Sequence, residues 1–341
     1  MAMPSKITPT YHICLIGSGG VGTIASLVLT KSGSAHVTSV LRSKYDHVSQ
    51  YGWSIDSIDH GKLRGWKPHR VVRSAAEAAT HDNGTAVEYD YVVVCTKQLP
   101  KLNSVTEMIS PVVTPRKTTI VMIQNGMAIE EEIIKAWPGN VVMSSVSHIG
   151  SSIQDPNIVV QIGKDVSKMG PHLHEGIDNA VSTDSAKIFV ELYAAGGASV
   201  CELVDDIQVA RWEKLLWNGT FNTLCALMRM DVGEIQRSKG RESMLIPMMW
   251  EIWNIAKASG HAMSESIVNW MAYRLPDDCD YRPSMLLDLE NGRPMELEVI
   301  LASPLKKAEE LGVDAPHMTS VYNLLKLEEW KIDQNNSARK T

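Results

Sequence analysis

The sequence predicts an α/β protein in two parts, an N-terminal domain built on a mostly parallel sheet followed by an all-helical domain. Three observations carry that expectation. Short β-branched runs alternate with helical stretches as far as about Val204, a glycine-rich turn follows the first run, and no convincing strand appears from Asp205 onward. Strands alternating with helices favour a parallel sheet, because a parallel pair needs a crossover and a helix supplies it. The 341 residues suffice for about two domains. The expected division is 1–204, 205–330 and a polar, disordered-looking tail over 331–341, and a cleft between two domains is the default place for a ligand.

The expected strands, in order, are Tyr11–Ile16, His36–Leu41, Tyr89–Cys95, Thr118–Ile123, Val141–Val146, Ile158–Ile162 and Ala198–Leu203. Each is a short apolar or β-branched run bounded by turn residues. The expected helices of the second half are Val209–Met230, Arg241–Ser259, Met285–Glu290 and Glu296–Leu311, with Gly260 and Gly312 as stop signals.

Composition narrows the function classes. With 33 Lys and Arg against 39 Asp and Glu, the formal charge is −6, which argues against a nucleic-acid or anionic-membrane partner. A content of 44% hydrophobic and 21% charged residues is that of an ordinary globular chain. Cys14, Cys95, Cys201, Cys225 and Cys279 are odd in number and contain no C-x-x-C pair, so they read as thiols in a reducing compartment. Residues Met1 to Thr10 lack an apolar targeting segment, and the apolar stretch Met244–Ile255 is short and broken by Glu251. A cytoplasmic protein is expected.

The first motif, Gly17-Ser18-Gly19-Gly20-Val21-Gly22, follows the first strand and opens a helix. Such a turn lets backbone approach a pyrophosphate, and the helix N-terminus stabilises its charge. In that strand–turn–helix context the motif predicts a Rossmann-type dinucleotide site. The second strand ends in Leu41-Arg42-Ser43-Lys44, two cations where an NAD site would place an acid, so NADPH is the expected cofactor unless Arg42 and Lys44 are merely solvated loop charges. Thr96-Lys97-Gln98 and Gln124-Asn125-Gly126 follow two further strands, and at strand carboxyl ends they fit cofactor contacts as well as turns.

In the helical half, Lys214, Asn218 and Asn222 are spaced i, i+4, i+8 and align along one helix face with about 40° of drift per step. The rest of that segment is apolar, including Trp217, Phe221 and Leu224, so the stripe either faces solvent or is buried and needs partners. Downstream, Ser284 precedes Met285-Leu286-Leu287-Asp288 and reads equally as an N-cap. Glu296 follows Pro294 in an expected first turn, where the helix dipole alone favours a carboxylate. The pair His172 and His174 has no third ligand at a useful spacing, so no metal is expected. No G-x-S-x-G elbow is present. Met248, Met249, Trp250 and Trp253 read as core or an oligomer interface.

Taken together, G-x-G-x-x-G, T-K-Q, Q-N-G, K-x-x-x-N-x-x-x-N and S-M-L-x-D followed by a glutamate resemble the ketopantoate reductase family, in order from about Ile13 to Tyr322. The resemblance implies that Gly17, Gly19 and Gly22 cradle the NADPH pyrophosphate, that Arg42 meets the 2′-phosphate, and that Lys97, Gln98 and Asn125 line the nicotinamide side; Ser18, Gly20 and Val21 of the same turn and Lys44 of the same strand end are expected to bind the cofactor with them. It implies Lys214 and Glu296 as catalytic residues, with Asn218, Asn222 and Ser284 binding the substrate. The activity implied is NADPH-dependent reduction of 2-dehydropantoate to pantoate, on a small 2-oxo acid partner and with a homodimer as the expected assembly. Ile300-Leu301-Ala302 stands where family members often carry Ile-Asn-Gly, which opens the alternative of another 2-oxo acid. A non-catalytic NADPH sensor is the reading from another class, and Lys214 with its two asparagines counts against it.

Overall fold

The structure, a computed structural model, describes residues 10–154 and 157–338. Most of the stretch in which no targeting segment is expected, and the last three residues of the expected tail, lie outside them. The chain divides into two compact units: unit 1 comprises 1–97, 104–124 and 130–207, and unit 2 comprises 98–103, 125–129 and 208–341. The main change of unit falls three residues beyond the expected Val204, and two short stretches of the first half, after Lys97 and after Gln124, group with unit 2.

Unit 1 runs β1 (Tyr11–Ile16), α1 (Gly20–Lys31), β2 (Ala35–Val40), α2 (Tyr45–Tyr51), β3 (Trp53–Ser57), β4 (Gly61–Trp66), β5 (Arg70–Val72), α3 (Ala75–Ala78), β6 (Tyr91–Val94), α4 (Val105–Ile109), β7 (Thr119–Met122), α5 (Glu131–Ala136), β8 (Val142–Ser147), β9 (Ser151–Gln154), β10 (Ile158–Gln161), β11 (Val166–Pro171), α6 (Asn179–Ala195) and β12 (Val200–Leu203). The main sheet has the order β12-β11-β8-β7-β6-β1-β2-β5, parallel throughout except where β11 runs against β8. β1 lies inside it, with Ile13 opposite Val37 on one side and Tyr91 on the other. Ile13 to Ile16 are all buried, which is why this strand reads as an unbroken apolar run.

A second sheet, β4-β3-β10-β9, corrects the expectation for Ile158–Ile162. That run pairs with β3 in parallel and with β9 in antiparallel, outside the main sheet. Its inner face buries Trp53, Ile55 and Val159 in the same core as Ile24, Leu27 and Val28 of α1. β3 buries only Trp53 and Ile55, β4 and β9 bury no position, and all three carry polar residues, so their apolar content is too thin to show as β-branched runs.

Unit 2 is helical: α7 (Ile207–Asn218), α8 (Phe221–Met228), α9 (Val232–Arg237), α10 (Ile246–Ala258), α11 (Ser266–Tyr273), α12 (Ser284–Glu290), α13 (Ser303–Leu311) and α14 (Pro316–Ala338). The expected single helix Val209–Met230 is broken. Thr220 takes φ −119° and ψ −76°, and α8 starts anew after it. Gly219 sits so close to α10 that a Cβ there would lie 2.8 Å from Ile252 Cδ1, so tight packing and the break coincide. The expected helices Arg241–Ser259 and Glu296–Leu311 each begin with a π-helical turn, Arg241–Leu245 and Glu298–Ala302.

Met248, Met249 and Trp253 are core. Glu251, the charge that interrupts their run, is buried and accepts from the His317 and Met318 N–H groups at 2.9 and 2.8 Å, capping the first turn of α14. The expected disordered tail is corrected as well, since α14 continues through Lys331 to Ala338. No helix among the described residues is long and apolar enough to cross a membrane.

Candidate active site

In unit 1 the chain turns at Gly17, whose φ of +101° favours glycine and whose Cβ would lie 2.5 Å from the Thr96 nitrogen. Gly22 packs so tightly on this turn that a Cβ would fall 1.9 Å from the Gly17 carbonyl oxygen. Gly20 is required for a different reason, because the backbone of Ser151 in β9 comes within 2.7 Å of its Cβ direction. A Cβ on Gly19 would meet nothing within 4 Å. Gly19 is also the N-cap of α1 and supplies no side-chain cap, while the first turn of α1 carries no acid. The end of a 12-residue helix is thus bare beside open space, which suits a phosphate.

Ser18 Oγ reaches the Val40 carbonyl at 3.5 Å, and Arg42 lies exposed just past the end of β2. Lys44 is half-buried, and Arg73 lies 4.2 Å over the Tyr45 ring and is paired with Asp46. A dinucleotide fits these residues: small side chains at the turn and a helix end without a side-chain cap. Lys97 is exposed at the last position of unit 1 before the chain passes to unit 2.

The polar residues of unit 2 centre on Glu296. It does not occupy a first helical turn as expected; it precedes the helix, and its buried carboxylate is held by other stretches of chain. The Gln98 backbone N–H donates to Oε1 at 2.9 Å, and the Asn125 side-chain amide donates to Oε2 at 3.3 Å. Gln98 and Asn125, expected beside the nicotinamide, therefore turn these donors to Glu296, within the two stretches that group with unit 2. The loop around Asn125 is fixed by the Met127 N–H donating to the Val299 carbonyl at 2.8 Å, and by Gly126, φ +98°, where a Cβ would strike Val299 at 2.4 Å.

Sequence reasoning missed Arg211. It is buried, and its Nη1 donates to the Gly126 carbonyl at 2.9 Å, tying α7 to the loop that carries Asn125. Its place one turn before Lys214 was the available signal. Lys214 itself is partly buried, and its ammonium pKa is lowered to about 8. Burial is the chief cause, the Arg211 charge adds to it, and Glu296 opposes both. Asn218 and Asn222 are buried and joined across the helix break, Nδ2 of Asn222 donating to Oδ1 of Asn218 at 3.2 Å. The stripe therefore does not simply face solvent. Ser284 is exposed at the first position of α12, after Pro283 in the N-cap place, so the N-cap reading does not hold.

Elsewhere, the His172 ring shares a hydrogen bond with Ser144 Oγ at 2.6 Å and stands 3.7 Å from Glu130, all three buried. No group of three metal-ligating side chains occurs among the described residues. The five cysteines are unpaired, and burial pushes the Cys14 and Cys225 thiols up to about 12.

A glycine turn opening a parallel α/β unit, and a lysine, carboxylate and amide cluster in a helical unit, define an oxidoreductase acting on a 2-oxo or hydroxyl group. The family comparisons agree: residues 13–174 match the family described as ketopantoate reductase PanE/ApbA, and residues 206–329 match its C-terminal domain. The chain belongs to the ketopantoate reductase family. It is 33% identical to an uncharacterized protein of Saccharomyces cerevisiae over 96% of each chain. Among solved structures it resembles 2-dehydropantoate 2-reductase from Methylococcus capsulatus, with TM-score 0.81 and 31% identity over 94% of this chain and 97% of that one. A D-mandelate dehydrogenase solved with NADH and anilino(oxo)acetate shares the fold at TM-score 0.81 and 18% identity, over 94% and 99% of the two chains.

Proposed function

We propose that the protein reduces a 2-oxo acid to the 2-hydroxy acid with NADPH, with Lys214 as the proton donor. The observation that carries this reading is the arrangement of unit 2, where Glu296, held by Gln98 and Asn125, acts electrostatically on a partly buried Lys214 on the helix that also bears Asn218. Gly17 to Gly22 would hold the pyrophosphate and Arg42 with Lys44 the 2′-phosphate. When bound, NADPH supplies the hydride.

The chain's own part is positioning and proton transfer. As the substrate carbonyl oxygen gains negative charge, the Lys214 ammonium stabilises it and gives up a proton. A pKa of about 8 suits that task near neutrality, since the group is mostly protonated yet a stronger acid than a free lysine. Glu296 keeps the ammonium charged and oriented, and the Asn218–Asn222 pair offers amide groups to the carbonyl and neighbouring oxygens. Ser284 donates to the substrate carboxylate.

Family membership makes 2-dehydropantoate the first substrate to test. A second reading, another 2-oxo acid, is favoured by Ile300 and Leu301, buried in a π-helical turn where an amide-bearing tripeptide is common in the family. The test is NADPH oxidation by the purified protein with 2-dehydropantoate beside a panel of 2-oxo acids. Turnover of any of these supports the reading, and the preferred acid decides between the two substrates. NADPH binding with no turnover of any acid overturns it in favour of a sensor.

A further inference from the structure

We propose that Trp217 and Tyr281, backed by Arg274, form the subsite for the substituent of the 2-oxo acid, and that this substituent is an aromatic ring. The proposal rests on the reading of the protein as a 2-oxo acid reductase and names its substrate class. Two stretches of unit 2 carry the residues assigned to the substrate, and each bears an aromatic side chain beside them. On α7, Trp217 stands three residues after Lys214 and one before Asn218. On the segment entering α12, Tyr281 stands three residues before Ser284.

These two rings meet. Their centroids are 6.2 Å apart at 53°, while Trp217 stacks on Phe221 at 4.4 Å and 28°. The Tyr281 segment is pinned by its carbonyl, which accepts the Val232 N–H at 3.0 Å. Arg274 lies 5.5 Å over the Trp217 ring and 4.8 Å over Trp270, a cation–π stack that fixes the indole from one side. Tyr281 is 40% exposed and Trp217 is half-buried, so part of the pair is open to a ligand.

The surface these rings present is aromatic, with the Arg274 guanidinium and the Tyr281 hydroxyl as its polar groups. An aromatic substituent gains ring–ring contact beyond simple burial, about 2- to 10-fold in affinity per well-placed pair. The polar stripe and Ser284 then read the 2-oxo acid group common to all candidates, and the rings read what differs among them.

The test compares kcat/KM for phenylpyruvate and phenylglyoxylate with that for 2-oxobutyrate, 2-oxoglutarate and 2-dehydropantoate, in the wild-type protein and in Tyr281→Ala and Trp217→Leu, with melting curves to verify folding. The expected result is an aromatic preference of about 10-fold or more that each variant reduces about 2- to 10-fold, chiefly through KM. Tyr281 is exposed enough that its variant tests the idea even if Trp217→Leu fails to fold. An aromatic-to-aliphatic ratio unchanged in Tyr281→Ala overturns the proposal, as does a wild-type preference for 2-oxoglutarate that Arg274→Met abolishes. Should no acid be turned over, the reductase reading fails separately, and calorimetric titration of the NADP⁺-loaded protein with phenylpyruvate still decides: binding lost in Tyr281→Ala supports the subsite, and absence of wild-type binding overturns it.

Discussion

At the scale of single residues, Lys214, Arg211 and Glu296 bring three charges together in one helical unit. Lys214 is pushed towards neutrality by burial and by Arg211, and held back by Glu296. For a reaction that needs the ammonium, kcat falls as pH rises through about 8. In Glu296→Gln the charge that raises the Lys214 pKa is gone, so the fall begins at lower pH, a shift that a pH–rate profile reads directly. The same imbalance costs stability. The folded pKa lies below the ordinary 10.5, so the charged form is disfavoured on folding at neutral pH, and that penalty disappears as pH rises from about 8 towards 10.5. Lys214→Met is therefore expected to melt higher than wild type at pH 7, by an amount that shrinks at pH 10, while losing turnover. Glu296 shows what sequence can and cannot give at this scale. Its identity and order along the chain mark it, but the helix dipole explains a carboxylate there equally well. Only the Gln98 and Asn125 donors, 198 and 171 residues away in sequence, separate the two explanations.

At the scale of elements, glycines with one motif have separate tasks, and substitution separates them. Gly22→Ala drives a Cβ into the Gly17 carbonyl, so it is expected to lower stability by about 1–3 kcal/mol and to weaken NADPH binding with it. Gly19→Ala meets no atom and takes an ordinary extended conformation, so its melting temperature should stay near wild type while NADPH affinity falls, because the methyl fills the space a pyrophosphate needs. Melting curves with fluorescence titration of NADPH check both. Parallel strands were legible because burial on both faces makes them continuously apolar, as in β1 and β6. The second sheet was not, since β3 buries only two positions and β4, which includes Gly61 and Gly65, buries none. The α7–α8 break was hidden for another reason. Gly219-Thr220 is tolerated inside a helix, and the close approach of Ile252 on α10 to Gly219 that accompanies the break is not recorded in any local pattern.

At the scale of the whole molecule, the chain leaves unit 1 after Lys97 and after Gln124 to deliver Gln98 and Asn125 to Glu296. The T-K-Q and Q-N-G motifs are thus split between units, with Thr96 accepting from the Gln124 amide at 2.7 Å in one and the Glu296 donors in the other. Sequence order showed that these motifs follow strands; it could not show this division. In the proposed reading the choice of cofactor rests on Arg42 of unit 1: Arg42→Asp should weaken NADPH far more than NADH, and the ratio of the two dissociation constants reads it. The most direct test of the central claim is the rate of NADPH oxidation by Lys214→Met beside wild type, on the 2-oxo acid that wild type turns over best. The account requires kcat to fall by roughly 10² or more with NADPH binding intact. A variant that turns over at the wild-type rate would contradict it.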